Sequence, residues 1–135
     1  MCGIVGYVGA VPALPIVLDG LKRLESRGYD SSGVVAISNS KEKPKFRNFR
    51  DTGLVSNLER LLKDRRINSK IALGHIRWAT HGEVSVRNSH PHIAGRVAVV
   101  HNGIIENHAE LRSFLEDKGA IFLSDTDTEV VPQLL

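Results

Sequence analysis

The sequence predicts an α/β fold, of the α+β kind, in a single domain over residues 1–135. Three observations lead there. Short apolar runs rich in β-branched residues recur at 4–8, 33–38, 71–76 and 97–100. Segments with apolar residues at helical spacing lie among them. The chain has 135 residues, 41% hydrophobic and 24% charged, which is enough for one domain with a real core.

The first strand follows Cys2, runs through Ile4, Val5, Tyr7 and Val8, and reads as a buried strand. Pro12 and Pro15 then mark a turn and a helix start. Leu14, Val17, Leu18, Leu21 and Leu24 share a helical face, and Gly28 is expected to cap that helix. Residues 33–38 form the second strand, with a polar turn expected at 39–43. The alternating Lys45-Phe46-Arg47-Asn48-Phe49-Arg50 reads as an exposed edge strand. Leu54, Leu58, Leu61 and Leu62 give a second helix. Residues 71–76 are a further strand, and 78–95 show no clear period. Residues 97–100 are a fully apolar strand. Residues 107–118 form a helix built on Leu111, Phe114 and Leu115, closed by Gly119. A short strand is expected at 120–123. Thr126-Asp127-Thr128-Glu129 reads as a capping box, with Pro132 awkward in the helix it opens.

Composition excludes several classes. The net charge of +3 is mild, and basic residues are scattered except between Lys41 and Arg50, so no nucleic-acid partner is expected. No apolar run reaches membrane-spanning length, and no signal peptide is visible. One cysteine excludes an internal disulfide. A cytoplasmic setting is expected. His90, His92 and His101 offer imidazoles, but no carboxylate or cysteine stands at a familiar ligand spacing, so no metal and no cofactor is expected.

The single cysteine is the second residue. Loss of Met1 would expose its α-amine, whose reference pKa is about 8, beside its own thiol. A neutral amine next to a thiol is a built-in base for a nucleophile. The plain alternative is a small buried hydrophobe. Polar residues crowd the segments after three strands: His75 to Glu83, His101 to Asn107 and Ser124 to Glu129. An acyl-transfer site needs oxyanion donors, which the Asn102 amide and the Gly103 N–H can supply. It needs substrate handles, and Arg77 with Asp127 suits a free α-amino acid. Taken singly, Asn-Gly is also a turn dipeptide, Arg77 a surface ion and Asp127 a helix cap.

In order along the chain stand Cys2-Gly3-Ile4-Val5-Gly6, Arg27-Gly28-Tyr29-Asp30-Ser31, His75-Ile76-Arg77-Trp78-Ala79-Thr80-His81-Gly82, His90-Pro91-His92, His101-Asn102-Gly103 and Ser124-Asp125-Thr126-Asp127-Thr128-Glu129. The series resembles the class II, N-terminal-nucleophile glutamine amidotransferases. The Arg-Trp-Ala-Thr-His-Gly and Arg-Gly-Tyr-Asp-Ser strings are similar to the glutamine–fructose-6-phosphate aminotransferase branch. The resemblance implies a four-layer αββα sandwich of antiparallel sheets, of which this chain is the N-terminal part. It implies that Cys2 attacks the glutamine side-chain amide, with Asn102 and Gly103 holding the oxyanion. Arg77, Trp78, Thr80, His81, Gly103, Asp127 and Arg27 are implied in glutamine binding. Ammonia would go to fructose 6-phosphate through domains absent from this sequence, in an enzyme expected to be a homo-oligomer. The chain stops inside a helical pattern, so truncation is expected. A retained Met1 would lock the Cys2 amine in a peptide bond and leave the fragment inactive. Another class II amidotransferase, another N-terminal-nucleophile hydrolase, or an inactive fragment are the competing readings.

Overall fold

The computed structural model describes residues 1–38, 42–80 and 82–135. Among the described residues ten regular elements follow in order: β1 (Gly3–Val8), α1 (Ala13–Leu24), β2 (Ser31–Ser38), β3 (Lys45–Thr52), α2 (Val55–Leu62), β4 (Ile71–Arg77), β5 (His92–Ala94), β6 (Val97–Val99), α3 (His108–Asp117) and α4 (Val130–Leu134). Single 3₁₀ turns extend α1 over Glu25–Arg27 and precede α4 over Asp127–Glu129.

Four strands form one antiparallel sheet in the order β1-β4-β2-β3, and β5 pairs with β6 in a separate ribbon. The late strand β4 sits between β1 and β2, with Gly3 opposite Ile76 and Ser31 opposite Arg77. This insertion carries the chain start to the loop that follows β4. The alternating strand β3 is an edge strand, as its pattern predicts.

Period-2 geometry divides the sheet into two working faces. Val34, Ala36, Ala72 and Ile76 join one core with Leu14, Val17 and Leu21 of α1 and Val55, Leu58 and Leu62 of α2. Each fully buried aliphatic side chain contributes about 1.5–3 kcal/mol relative to exposure. The intervening residues of β4, His75 and Arg77, are also buried but point to the opposite face. There Gly33 meets the loop after β4, and a Cβ at Gly33 would stand 1.9 Å from the His90 carbonyl oxygen. Asn48 Nδ2 donates to the next carbonyl, Pro91 O, at 3.2 Å.

Pro12 precedes α1, and Pro15 falls in its first turn, where the missing N–H has no intrahelical partner to lose. Gly119 takes φ +92 after α3, and its N–H donates to Glu116 O at 2.9 Å, so it closes the helix as expected. Gly28 closes the 3₁₀ extension of α1 as expected, its N–H donating to Glu25 O at 3.2 Å; its backbone is extended, and its lack of a Cβ leaves room for the Met1 carbonyl oxygen, 2.8 Å from where that carbon would be. Four expectations change. β1 is an edge strand and not a buried one, with Ile4 and Val8 exposed. Residues 120–123 form no strand: Ile121 and Leu123 are 77% and 71% exposed, and the Leu123 N–H donates to the Glu129 carboxylate at 2.7 Å. The apolar run at 97–100 gives only the three-residue β6, half-buried. Thr126 precedes the last helical segment, but its side chain makes no cap bond; Glu129 reaches back to Leu123 and Ser124 instead. The expected turn residues 39–41 lie outside the described residues.

Candidate active site

Cys2 lies just before β1, where the β1–β4 pairing brings it beside the loop leaving β4. The Trp78 N–H donates to Cys2 Sγ at 3.1 Å, and Sγ lies 3.5 Å from Trp78 O. The sulfur is thus seated on the backbone of one residue of that loop. The Ala79 N–H donates to the Asp30 carboxylate, which ties the loop back to the start of β2.

Cys2, Arg77, Trp78, Thr80, Gly103 and Asp127 line one cleft of about 200 Å³. That is smaller than the roughly 300–1,000 Å³ typical of drug-sized ligands, and matches a molecule of amino-acid size. His90, His101, Ile104, Thr126 and Thr128 complete its wall. Asn102 and Arg27 stand on the other side of the cysteine, around an adjoining opening that Met1, Cys2 and Gly103 share. The Met1 ammonium donates to the Arg27 carbonyl. His81 lies outside the described residues.

Each charged group is held by backbone. Arg77 is 3% exposed, and its guanidinium donates to Glu83 O at 3.2 Å and Gly82 O at 3.3 Å. Asp127 is 4% exposed, and its Oδ2 accepts the Ile105 N–H at 2.7 Å. Two fixed groups of opposite charge in one small cleft suit a zwitterion. Gly103 has φ +154, and a Cβ there would lie 2.8 Å from His101 Nε2. Glycine therefore lets the Asn102–Gly103 backbone pass close to His101.

Beneath the cleft the histidines pack on one another. His75 and His90 stack at 4.3 Å between ring centroids, and His90 meets His92 edge-on at 4.7 Å. Burial holds His75 and His92 down to about 4, and drives His90 lower still, with His75 adding to the depression. All three are neutral at pH 7. Hydrogen bonds order them further. The His101 N–H donates to His90 Nδ1 at 3.3 Å. Ser124 Oγ donates to the Glu129 carboxylate, so the Thr126 hydroxyl, 2.9 Å away, donates to Ser124 Oγ. With its proton committed, Thr126 Oγ1 accepts from His92 Nε2 at 2.8 Å. His75 Nε2 lies 2.9 Å from Asn102 Oδ1.

The sequence reading missed His90, His101, Thr126 and Thr128 as parts of the cleft wall. A signal existed for His75, which stands two residues before Arg77 and therefore on the same face of β4.

A family model described as "Glutamine amidotransferase domain" matches residues 62–135. The whole chain is 52% identical to proteins of Symbiobacterium thermophilum and Clostridium perfringens, and 50% identical to one of Caulobacter vibrioides, each named glutamine–fructose-6-phosphate aminotransferase (isomerizing). The chain spans 22% of the length of each. Among solved structures, glutamine phosphoribosylpyrophosphate amidotransferase from B. subtilis, complexed with ADP and GMP, matches 99% of the chain. Its TM-score is 0.77 at 29% identity, over 29% of that protein. A structure described as the allosteric regulatory enzyme of purine biosynthesis matches with TM-score 0.79 at 30% identity, over 29% of its own length.

Proposed function

The chain belongs to the glutamine amidotransferase family, and from that premise we propose that its cleft hydrolyses the side-chain amide of glutamine. The observation that carries the reading is the convergence of Cys2, Arg77, Gly103 and Asp127 on one amino-acid-sized cleft. In this reading Met1 is removed, and the freed α-amine of Cys2 takes the thiol proton. The sulfur attacks the δ-carbon of glutamine, and the carbonyl π pair moves onto oxygen. The Asn102 side-chain amide and the Gly103 N–H donate to that oxyanion, a contribution of the kind worth about 10²–10³ in kcat per donor. The C–N bond then breaks as the amine's proton passes to nitrogen, releasing ammonia and leaving a γ-glutamyl thioester. Water attacks the thioester, returns a proton to sulfur and yields glutamate. Arg77 pairs with the α-carboxylate, Asp127 and the Gly103 carbonyl take the α-ammonium, and Trp78, Thr80, His81 and Arg27 close around the substrate.

The finer reading is that the released ammonia is used on fructose 6-phosphate to make glucosamine 6-phosphate. Its support is the name shared by relatives at about 50% identity. Since the chain spans 22% of those relatives, the sugar chemistry is assigned to the remainder of such a polypeptide, and this chain to the N-terminal portion of its glutaminase domain. No helix among the described residues is long and apolar enough to cross a membrane. We assign the protein to the cytoplasm, as a homo-oligomer in its intact form.

The test is intact mass before and after incubation with an electrophilic glutamine analogue that alkylates thiols. The expected result is one adduct on a chain lacking Met1, blocked by excess glutamine and absent in Cys2→Ala. An adduct that persists in Cys2→Ala, or that glutamine does not block, would sink the reading.

A further inference from the structure

Resting on the glutaminase reading, we infer that His75 is a positioning residue that fixes which end of the Asn102 carboxamide faces the oxyanion. Asn102 presents two chemically opposite ends that differ little in shape. Its NH₂ would donate to an oxyanion, while its oxygen would repel one. Nothing in the Asn102 backbone chooses between them, because a rotation about the last side-chain bond exchanges the two. The choice must come from a neighbour that accepts only one end.

His75 is that neighbour. Its Nε2 lies 2.9 Å from Asn102 Oδ1, well within hydrogen-bond reach. The ring has little freedom of its own. His75 is fully buried in the central strand β4, between β1 and β2, with its backbone opposite Ile4 and Gly33. One ring face stacks on His90 at 4.3 Å, and His90 is anchored in turn by the His101 N–H. A proton on Nε2 therefore points at a fixed spot, and the oxygen of Asn102 is drawn to it. The NH₂ end is left toward the opening that Asn102 shares with Cys2 and Gly103.

The charge state fits. Burial holds the imidazole down to about 4, with the Asn102 contact opposing that shift, so near neutral pH the ring carries one proton. A neutral ring with its proton on Nε2 donates to Asn102 and adds no positive charge near the cysteine. The proton stays on His75 throughout. The residue touches neither substrate nor sulfur and acts only through Asn102.

The experiment is a double-mutant cycle in the intact gene product, with His75→Leu, Asn102→Ala and the pair, read as kcat and KM for glutamine. His75→Leu is expected to lower kcat about 10- to 100-fold, less than the about 10²–10³ that outright loss of an oxyanion donor costs, with KM nearly unchanged. On the Asn102→Ala background the same change should cost less than about 3-fold, because the group it orients is gone. His75→Gln, whose Nε2 can sit near the imidazole Nε2, should recover most of the lost kcat. Alkylation of Cys2 by iodoacetamide, which forms no oxyanion, should proceed at the wild-type rate in every variant. A His75→Leu cost that is equal on both backgrounds, or a parallel fall in Cys2 alkylation, would overturn the inference in favour of a purely structural role. Where His75→Leu does not fold, ¹⁵N shifts of the wild-type ring decide: protonation on Nε2 supports it, and protonation on Nδ1 overturns it. Glutamine turnover by wild type that Cys2→Ala abolishes upholds the parent reading separately, so additivity in its presence counts against the His75 inference alone.

Discussion

Acidification should unfold this protein in a defined window, and the histidine column sets where. His75 and His92 are held at about 4, against about 6.5 for a histidine in an unfolded chain. The native state therefore takes up protons later than the unfolded state as pH falls. The stability tied to the neutral rings is fully present above pH ~6.5 and is lost as pH drops toward ~4. At pH 5 an unfolded histidine is almost fully protonated and a buried one is about one-tenth protonated, so each ring costs about 2 kcal/mol of stability relative to pH 8. Two rings give about 4 kcal/mol, a large share of the roughly 5–15 kcal/mol available to a domain. His90 adds to this in the same direction. Stacking at 4.3 Å makes a second proton on neighbouring rings harder to place than the first. The assay is urea unfolding followed by circular dichroism at pH 8, 7, 6 and 5. The midpoint is expected to fall steeply below pH 6.5, and His92→Gln should flatten the slope. Equal midpoints at pH 8 and pH 5 would refute the reasoning, because they would require the rings to be accessible in the native state.

Two further outcomes test the site and the fold. Arg77→Lys replaces a planar fork held by Glu83 O and Gly82 O with a single ammonium, so KM for glutamine should rise about 10-fold or more while kcat changes little; an unchanged KM would remove Arg77 from substrate binding. Gly33→Ala places a methyl 1.9 Å from the His90 carbonyl oxygen, which is backbone and cannot swing aside; a loss of at least about 1–3 kcal/mol in unfolding free energy is expected, and a neutral result would mean that the loop does not rest on β2.

How much of this was legible in the sequence follows from the range of each signal. α1, β2, α2 and β4 were readable because apolar pattern and burial agree within each segment: Leu14, Val17 and Leu21 lie on one helical face, and all are buried. β3 was readable from its alternation and β1 from its β-branched run, although Ile4 and Val8 of β1 are exposed. The apolar run at 120–123 carried the same local signal but forms no strand: the Ala120 N–H donates to Leu115 O and the Leu123 N–H to the Glu129 carboxylate, not to a neighbouring strand. Thr126 looked like a cap for the same reason, yet its hydroxyl is committed to His92 and Ser124. Residues of the cleft were nominated by their chemistry and loop positions, each matched singly by a plainer alternative, and the resemblance singled them out. Cys2, Arg77, Gly103 and Asp127 are far apart in the chain, and strand order, which no local pattern encodes, brings them together.

That strand order also explains why the cleft and the core share their supports. β4 alternates, so Ile76 enters the core beside α1 and α2 while His75 and Arg77 on either side of it build the opposite face. A one-residue slip of β4 against β1 or β2 would exchange the two sets, placing a cation and an imidazole in the apolar core and an isoleucine in the cleft. The cost of burying unpaired polar groups makes that register prohibitive. Register is therefore fixed from both faces at once, by apolar packing on one side and by backbone-held polar groups on the other. The consequence for substitution is specific. Changes at the helix-facing residues of β4 should act on stability first and on glutamine turnover only through register, whereas changes at His75 and Arg77 should alter turnover at modest cost to packing under α1.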